Sequence, residues 1–407
     1  MFMGPPAAAF APRVTGSDSD VITNSLAFVR SHLDMEVAYL SEFVGENLVF
    51  RAVDAPGFED SIAVGGDMPL DQVYCRHILN GKLPELIADT DDVAFTQTIA
   101  LTNTLPIRSH VSVPIHRSDG SVYGMFCCLS RQPRQSLNSR DLEVMRAFAS
   151  LSADQVNRQL TSDFATRSKL ESIESILEEC AFEIALQPIQ RLQDQSIAGY
   201  EALCRFSRMP YRAPNLWFDD AAEVGLQAKL ELLVIDKALG ILPKLPNACY
   251  LAVNTSPATL AGGKVADLVA AAGGERIVVE ITEHDEIENL DVLLMEIDRL
   301  REHGARIAID DAGAGYSGLQ QIIRLRPDVI KLDMSLTQDV DKDLARRALA
   351  SAMVQFARDT NARVVAEGIE TEAEMRTLKN IGVELGQGYH LGRPALWSDV
   401  LKLLQTA

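Results

Sequence analysis

The C-terminal half of the chain contains eight short apolar runs, and a polar residue follows each of them. Segments with helical apolar spacing separate most of these runs, which is the pattern of βα units. The carboxyl ends of the strands of a βα barrel converge at one face, where active sites lie. The pattern therefore predicts a barrel that brings these polar residues together. They are, in chain order, Gln187, Glu201, Asn254, Glu280, the pair Asp310 and Asp311, Lys331, Glu367 and Gln387.

One of these runs, residues 307–309, ends at two adjacent carboxylates, Asp310 and Asp311, with glycines at 313 and 315. Two like charges so close together are costly unless protons, hydrogen bonds or a cation compensate them. Oxygen ligands of this kind suit Mg²⁺, Mn²⁺ or Ca²⁺. Taken alone, the stretch fits a strand that runs into an acidic turn equally well. The other polar strand ends favour a metal site.

The length and charge of the chain limit what it can be. A chain of 407 residues is too long for one ordinary core, so we expect two or three domains. The 38 basic and 57 acidic residues give a net charge of −19. Such a surface repels nucleic acid polymers and anionic lipid. A substrate that carries phosphate would need cations supplied locally, by a metal or by a few placed Arg and Lys residues.

The cysteines and the apolar runs bear on location. The six cysteines are scattered, with no C-x-x-C pair, and this favours reduced thiols in a cytoplasmic protein. The first 17 residues contain three prolines and lack a basic start, so we expect a disordered tail rather than a signal peptide. No apolar run reaches about 18 residues, and no membrane partner is expected.

Residues 18–138 have the pattern of a small α+β domain. The motifs at residues 73–79 and 83–89, and the strand pair 111–115 and 122–124, resemble those of a GAF domain. The resemblance implies a sensor of small molecules, in a family that binds cyclic nucleotides, haem or bilins and in which many members only dimerise. The order of elements is a helix at 21–33, strands at 37–43 and 48–52 around a hairpin turn, a helix at 71–79, a short strand at 83–88, a polar connection at 89–104, and strands at 110–116 and 122–129.

Cys75 and His77 are the residues of this domain that suggest a bound ligand. Some bilin-binding GAF domains attach their chromophore through a Cys beside a His, but here Arg76 intervenes. A buried structural Cys75 is the alternative, and the ligand of the domain stays unknown.

The apolar pattern of residues 139–180 predicts a connecting helix between the two domains. Leu142, Met145, Phe148, Val156 and Leu160 form an apolar seam at helical spacing. A parallel homodimer could use this seam, or the first half of the helix could pack on the sheet of the sensor domain. The two interpretations are compatible.

Residues 181–407 resemble the EAL domain, the family of bacterial cyclic di-GMP phosphodiesterases. The resemblance implies a modified (βα)₈ barrel, similar to a TIM barrel, whose first strand runs antiparallel. The short turn at residues 190–196 agrees with that topology. The motifs that carry the resemblance are residues 187–189, 200–205, 253–257, 280–283, 310–316, 331–333, 366–370 and 387–389.

Membership of this family would imply hydrolysis of one phosphodiester bond of cyclic di-GMP, giving linear pGpG, with two Mg²⁺ or Mn²⁺ ions. By the same resemblance, Glu201, Asn254, Glu280 and Asp310 would ligate one ion, with Asp310 bridging. Asp311 and Glu367 would serve mainly the second ion. The amide of Asn254 limits the total negative charge while still offering an oxygen.

The resemblance also implies roles for residues around the ions. Lys331 would lie beside the attacking water, as a base or as a charge-balancing partner. Gln387 would hydrogen-bond that water. The remaining roles fall to four residues: Arg205 would contact phosphate, Leu203 and Gln187 would line the substrate pocket, and Glu283 would anchor the loop that contains the two glycines.

The anchored loop departs from the family pattern, because Ala312 and Ala314 stand where Phe and Thr are usual. We therefore expect a less ordered loop and a lower rate. An inactive EAL module that binds cyclic di-GMP or a protein is the second hypothesis, and a structural dimer whose GAF domain carries the function is the third. Against the second, every metal-ligand position of the motif is retained. No Gly-Gly-Asp/Glu-Glu-Phe block is present, so synthesis of the dinucleotide is not expected.

Overall fold

The computed structural model of the protein describes residues 17–209, 211–282, 289–312 and 322–406. The side chain of Asp311 and all of Glu283 lie outside the described residues, as does most of the expected tail at 1–17. The chain divides into two compact units between Ala165 and Thr166. The domain limits expected from the sequence, at 138/139 and 180/181, stay predictions. No helix in the described ranges is long and apolar enough to span a membrane.

The N-terminal unit is an α+β domain built on a six-stranded antiparallel sheet with the strand order β3-β2-β1-β6-β5-β4. Its two faces carry separate apolar cores, one containing Tyr74 and Ile87 and the other containing Leu26 and Met145. The strands are β1 Val37–Val44, β2 Asn47–Asp54, β3 Asp67–Pro69, β4 Leu86–Ile87, β5 Ser109–His116 and β6 Val122–Ser130. The helices are α1 Ser17–His32, α2 Tyr74–Leu79, α3 Ala100–Thr104 and α4 Ser139–Glu179, with 3₁₀ turns at Leu70–Gln72, Thr90–Asp92 and Ala94–Thr98.

The connection at residues 89–104 is more ordered than its polar sequence predicts. Buried threonine hydroxyls fold it into short helical turns: Thr96 Oγ1 donates to the carbonyl of Thr90 at 2.6 Å, and Thr102 Oγ1 donates to that of Thr96 at 2.6 Å. These bonds pair side chains with backbone across six residues. The apolar periodicity of the sequence carries no signal of them.

The predicted seam of α4 packs on the sheet of the N-terminal unit. Met145, Ala149 and Val156 are core residues there, and Leu142 and Leu160 pack against the same core. The interpretation in which the first half of the helix covers the sensor sheet is therefore the one that the contacts support.

The C-terminal unit is a closed barrel of eight strands, in which β7 pairs antiparallel with β8 and with β14 while the other neighbours are parallel. The antiparallel first strand is thus confirmed. The strands are β7 Phe182–Arg191, β8 Ile197–Phe206, β9 Tyr250–Thr255, β10 Ile277–Ile281, β11 Arg306–Ala312, β12 Val329–Leu332, β13 Arg363–Ala366 and β14 Leu385–Gly386, and the short β15 Ala395–Leu396 pairs with β7.

Helices surround this barrel. The apolar spacing of residues 218–242 predicts a single helix, but the structure has two, separated at Gly225, whose φ of 72° ends the first. The described helices are α5 Pro214–Glu223, α6 Gln227–Leu239, α7 Pro257–Ala261, α8 Lys264–Ala272, α9 Leu290–Glu302, α10 Met334–Thr337, α11 Leu344–Asp359, α12 Glu372–Ile381 and α13 Trp397–Thr406, with 3₁₀ turns at Leu242–Lys244 and Gly274–Arg276.

The interior of the barrel explains where the polar residues lie. A buried apolar cluster fills it, and the cluster includes Ala252, Val278, Ala308, Val329 and Val365. Because side chains alternate along a strand, the residue two positions further on points to the same interior. Those residues are Asn254, Glu280, Asp310, Lys331 and Glu367. The alternation of side chains therefore places these polar residues in one layer, here called the polar layer, directly above the apolar cluster.

Candidate active site

The polar layer converges on the ammonium group of Lys331, which is 1% exposed. Its Nζ lies 2.7 Å from Glu280 Oε2, 2.8 Å from Glu367 Oε1 and 2.9 Å from Asp310 Oδ1. Glu201 Oε2 is 3.6 Å away. Carboxylates at the ends of four different strands thus surround one cation, as the strand-end pattern in the sequence predicted.

Amide side chains orient Glu201 within this layer. Gln387 Nε2 donates to Glu201 Oε2 at 2.6 Å and to Gln187 Oε1 at 2.9 Å. Asn254 Nδ2 donates to Glu201 Oε1 at 2.8 Å. Gln187 itself is buried and donates to the carbonyl of Gly392. Gln187 therefore holds Gln387 in place.

Burial and crowding set the pKa values of these groups. Burial raises the pKa of Glu280 well above its ordinary value and that of Glu367 to about 8, with neighbouring carboxylates adding to both shifts and Lys331 opposing them. Burial also acts to raise the pKa of Glu201, but the charge of Lys331 and hydrogen bonds from Gln387 and Asn254 lower it overall. Burial acts to lower the pKa of Lys331, yet the surrounding carboxylates raise it well above its ordinary value.

The donor set fits hard divalent cations. Four carboxylates share one ammonium group, which leaves an excess of negative charge in a buried site. Gln387 Oε1 is buried and has no hydrogen-bond partner among the described residues. Carboxylate and amide oxygens are the ligands that Mg²⁺ and Mn²⁺ prefer. These residues can therefore hold such ions.

The turn after β13 positions Glu367. Gly368 follows it with a φ of 64°, a left-handed conformation, and a Cβ there would lie 2.6 Å from Cβ of Met334. The hydroxyl of Thr337, on α10, donates to the backbone carbonyl of Glu367. This local packing requires glycine after the glutamate.

A cavity of about 530 Å³ opens beside the layer, between the ends of β8 and β9 and the helices α5 and α6. Leu203, Arg205 and Asn254 line it, together with Phe218 from α5. The guanidinium group of Arg205 donates to the carbonyl of Cys204 at 2.8 Å. The structure thus brings two of the predicted substrate residues, Leu203 and Arg205, to one cavity that reaches the polar layer at Asn254.

A second group of carboxylates lies in the same unit, and its hydrogen bonds stabilise the fold. Oxygens of Asp339, Asp341 and Glu374 lie within 4.8 Å of one another. Asp339 pairs with Lys342, and Glu374 accepts the backbone N–H of Asp339 and that of Thr371. These bonds tie α10 to α12.

Sequence reasoning missed one buried polar residue beside the site. Glu231, on α6, is 7% exposed and accepts hydrogen bonds from Thr255 and Ser256 at the end of β9. Its signal in the sequence is a carboxylate between Leu230 and Leu232, on a helix whose neighbouring positions are apolar.

Two proteins named for cyclic di-GMP are similar to this chain. NbdA of Pseudomonas aeruginosa, named a cyclic di-GMP phosphodiesterase, is 28% identical over 342 residues, 80% of this chain and 41% of NbdA. PdeA of Escherichia coli, named a probable cyclic di-GMP phosphodiesterase, is 27% identical over 243 residues, 56% of this chain and 33% of PdeA. This chain thus spans only about a third to two fifths of these relatives.

A solved structure and two family models also match parts of this chain. A structure described as the PaMucR phosphodiesterase in complex with c-di-GMP matches with a TM-score of 0.52 and 28% identity, over 57% of this chain and 99% of that one. The model of the GAF domain matches residues 19–156, and the model of the EAL domain matches residues 170–394. The chain therefore belongs to the EAL domain family, and its EAL domain follows a GAF domain.

Proposed function

We propose that this protein hydrolyses cyclic di-GMP to linear pGpG with the help of two Mg²⁺ or Mn²⁺ ions. The observation that carries the proposal is the convergence of Glu201, Glu280, Asp310 and Glu367 on one buried lysine beside a 530 Å³ cavity. Names of relatives support the choice of substrate, since NbdA and PdeA are both named for cyclic di-GMP.

Glu201, Asn254, Glu280 and Asp310 would hold one ion, and Asp310, Asp311 and Glu367 would hold the second. When bound, Mg²⁺ or Mn²⁺ supplies neutralisation of the phosphodiester charge and a lower pKa for the attacking water. These assignments rest on the donor atoms and on the family pattern.

Other residues of this chain orient the reactants. Lys331 offsets the charge of the carboxylates and can donate a hydrogen bond to the attacking water. Both contacts of Gln387 Nε2 are to protein groups, so its unpartnered Oε1 is left to accept a hydrogen bond from that water. Gln187 keeps Gln387 in this orientation.

The substrate would enter through the cavity. The guanidinium fork of Arg205 matches the oxygens of a phosphate. Leu203 and Phe218 offer apolar surface to a base or a ribose. Glu283, which lies outside the described residues, would anchor the loop that follows Asp311.

The N-terminal GAF domain would regulate this activity through a small molecule whose identity stays open. We also propose a homodimer. Because the predicted seam of α4 packs on the sheet, the second copy must contact side chains of that helix that the sheet leaves exposed, such as Leu151 and Phe164, which are 56% and 75% exposed.

Incubation of the purified protein with cyclic di-GMP and Mg²⁺ or Mn²⁺, followed by chromatography of the nucleotides, tests the activity. We expect pGpG from the wild-type protein, inhibition by Ca²⁺, and no product from Glu201→Ala or Asp311→Asn. Absence of product from a folded wild-type protein that still binds cyclic di-GMP would overturn the hydrolase and leave the receptor in its place.

A further inference from the structure

Glu231 lies outside the carboxylate layer but contacts the strand that carries Asn254. Its Oε2 lies 2.8 Å from the backbone nitrogen of Ser256, 3.0 Å from Ser256 Oγ and 3.2 Å from Thr255 Oγ1. Its Oε1 accepts from Gln227 Nε2 at 2.9 Å. One oxygen of a buried carboxylate thus serves three donors on two consecutive residues.

Those two residues follow Asn254 directly. Side chains alternate along β9, so Thr255 points away from the barrel interior and towards α6, while Asn254 points inwards. Fixing Thr255 and Ser256 against α6 therefore fixes the direction in which Asn254 points. Asn254 Nδ2 is already directed at Glu201 Oε1, 2.8 Å away, and this leaves the amide oxygen for a cation.

The same contacts fix the next helix. Ser256 caps the N-terminus of α7, where its Oγ accepts from the backbone N–H of Thr259 at 3.3 Å. Glu231 thus joins three elements, α6, the end of β9 and the start of α7, at one buried carboxylate. If the Glu231 side chain only filled space, an apolar side chain would serve as well. Three hydrogen-bond donors around Oε2 indicate that the carboxylate itself is used.

We propose that Glu231 is a positioning residue that sets Asn254 for cation binding. The inference rests on the proposed function, because Asn254 is a ligand only if the strand ends bind cations. Partners that orient a ligand typically contribute about 10–100-fold to metal affinity or activity. The action of Glu231 depends on its reach and its acceptor oxygen, and not on its charge.

The test is the binding of Mn²⁺ to the 407-residue chain in the absence of nucleotide, measured through the electron paramagnetic resonance signal of free Mn²⁺. Glu231→Gln keeps the reach and one acceptor oxygen but loses the charge, whereas Glu231→Asp keeps the charge and loses the reach. We expect Glu231→Gln to bind Mn²⁺ within about threefold of wild type, and Glu231→Asp and Glu231→Ala to bind it about tenfold more weakly. With cyclic di-GMP, kcat of Glu231→Asp should fall at low Mn²⁺ and recover at high Mn²⁺.

Glu296→Ala is the matched control, because it removes another buried helix carboxylate, which pairs with Arg299 on its own helix. It should bind Mn²⁺ like the wild type. Circular dichroism shows which variants fold. If Glu231→Ala does not fold, the Mn²⁺ affinity of Glu231→Asp decides the test. Wild-type affinity in a folded Glu231→Asp, or weak binding in Glu231→Gln with normal binding in Glu231→Asp, would overturn the inference. A wild-type protein that binds no Mn²⁺ would instead overturn the proposed function.

Discussion

Lys331 is the residue on which the charge balance of the barrel depends. Its ammonium group is buried among Glu201, Glu280, Asp310 and Glu367, so without a divalent ion it is the cation that these carboxylates share in the described structure. A buried ion pair adds little net stability, but removal of one partner leaves the other charges uncompensated. Burial, with the neighbouring carboxylates, raises the pKa values of Glu280 and Glu367 even though Lys331 acts to lower them.

Lys331→Met should therefore destabilise the metal-free protein by about 3–5 kcal/mol. Added Mn²⁺ should recover much of this loss, since the ion replaces the missing charge. Urea unfolding in EDTA and in Mn²⁺ measures both effects. Lys342→Met, which removes a 72% exposed lysine from an ion pair with Asp339, is the control and should leave stability unchanged. Equal stability of Lys331→Met and wild type in EDTA would contradict the charge balance described here.

His110 is a buried titratable residue of the GAF domain, and its protonation should make the stability of the protein depend on pH. It is fully buried, stacks on Tyr74 at 4.7 Å, and neither ring nitrogen has a hydrogen-bond partner among the described residues. Burial lowers its pKa to about 3, so it stays neutral in the fold while the unfolded chain takes up a proton near pH 6.5. The unfolded state then binds more protons below pH 6.5, and stability is lost as the pH falls.

The loss from His110 should amount to about 1.4 kcal/mol per pH unit between roughly pH 6 and pH 3. His110→Phe keeps the ring stack and removes the titration, so its unfolding free energy should fall less steeply over the same interval. Unfolding by urea at pH 7.5, 6.5, 5.5 and 4.5, followed in both proteins, measures the difference. Parallel curves would show that the buried imidazole does not titrate in this way.

At the scale of elements, α12 shows how local sequence fixes an end near the site. Thr371 and Glu374 form a capping box, with Glu374 accepting the backbone N–H of Thr371 and donating its own to Thr371 Oγ1. Glu374 also accepts the N–H of Glu370, three residues after Glu367. The start of this helix therefore holds the turn that leaves β13.

Thr371→Ala should lower the unfolding free energy of the barrel unit by about 1 kcal/mol, the usual effect of losing an N-cap side chain. Thr371→Ser keeps the hydroxyl and should lie within a few tenths of a kcal/mol of the wild type. Urea unfolding followed by circular dichroism gives the comparison. Similar losses in the two variants would show that the methyl group, and not the cap, stabilises this turn.

The strand ends and the capping box could be predicted from the sequence because both have short-range signals. Apolar runs followed by Glu280 or Lys331 reveal the layer, and the spacing of Thr371 and Glu374 reveals the cap. The break at Gly225 was missed because apolar spacing continues across it. Glu231 was missed for another reason: its partners Thr255 and Ser256 come near it only when α6 packs beside β9.

At the scale of the whole molecule, α4 begins in one compact unit and ends in the other, since the boundary at Ala165 and Thr166 falls within it. Its seam residues cover the sensor sheet, and Phe164 is left 75% exposed just before the boundary. Phe164 is therefore the residue through which we test the proposed dimer, since aromatic side chains are enriched among the residues that contribute most to binding at interfaces.

We expect Phe164→Glu to weaken self-association at least tenfold, because a charge replaces an apolar contact in the proposed dimer. Sedimentation velocity at micromolar concentrations measures it. Val64→Glu, at a position 66% exposed in the N-terminal unit, is the matched control and should associate like the wild type. A monomeric wild-type protein at these concentrations would count against the homodimer.

The most direct test of the central proposal is conversion of cyclic di-GMP by protein stripped of metal and then supplied with Mn²⁺. Product should form only after Mn²⁺ is added, and Asp310→Asn should lose activity by at least about 100-fold, because Asp310 contacts Lys331 and is the proposed bridge between the ions. Conversion without metal, or undiminished conversion by Asp310→Asn, would contradict a metal-dependent hydrolase centred on the strand-end carboxylates.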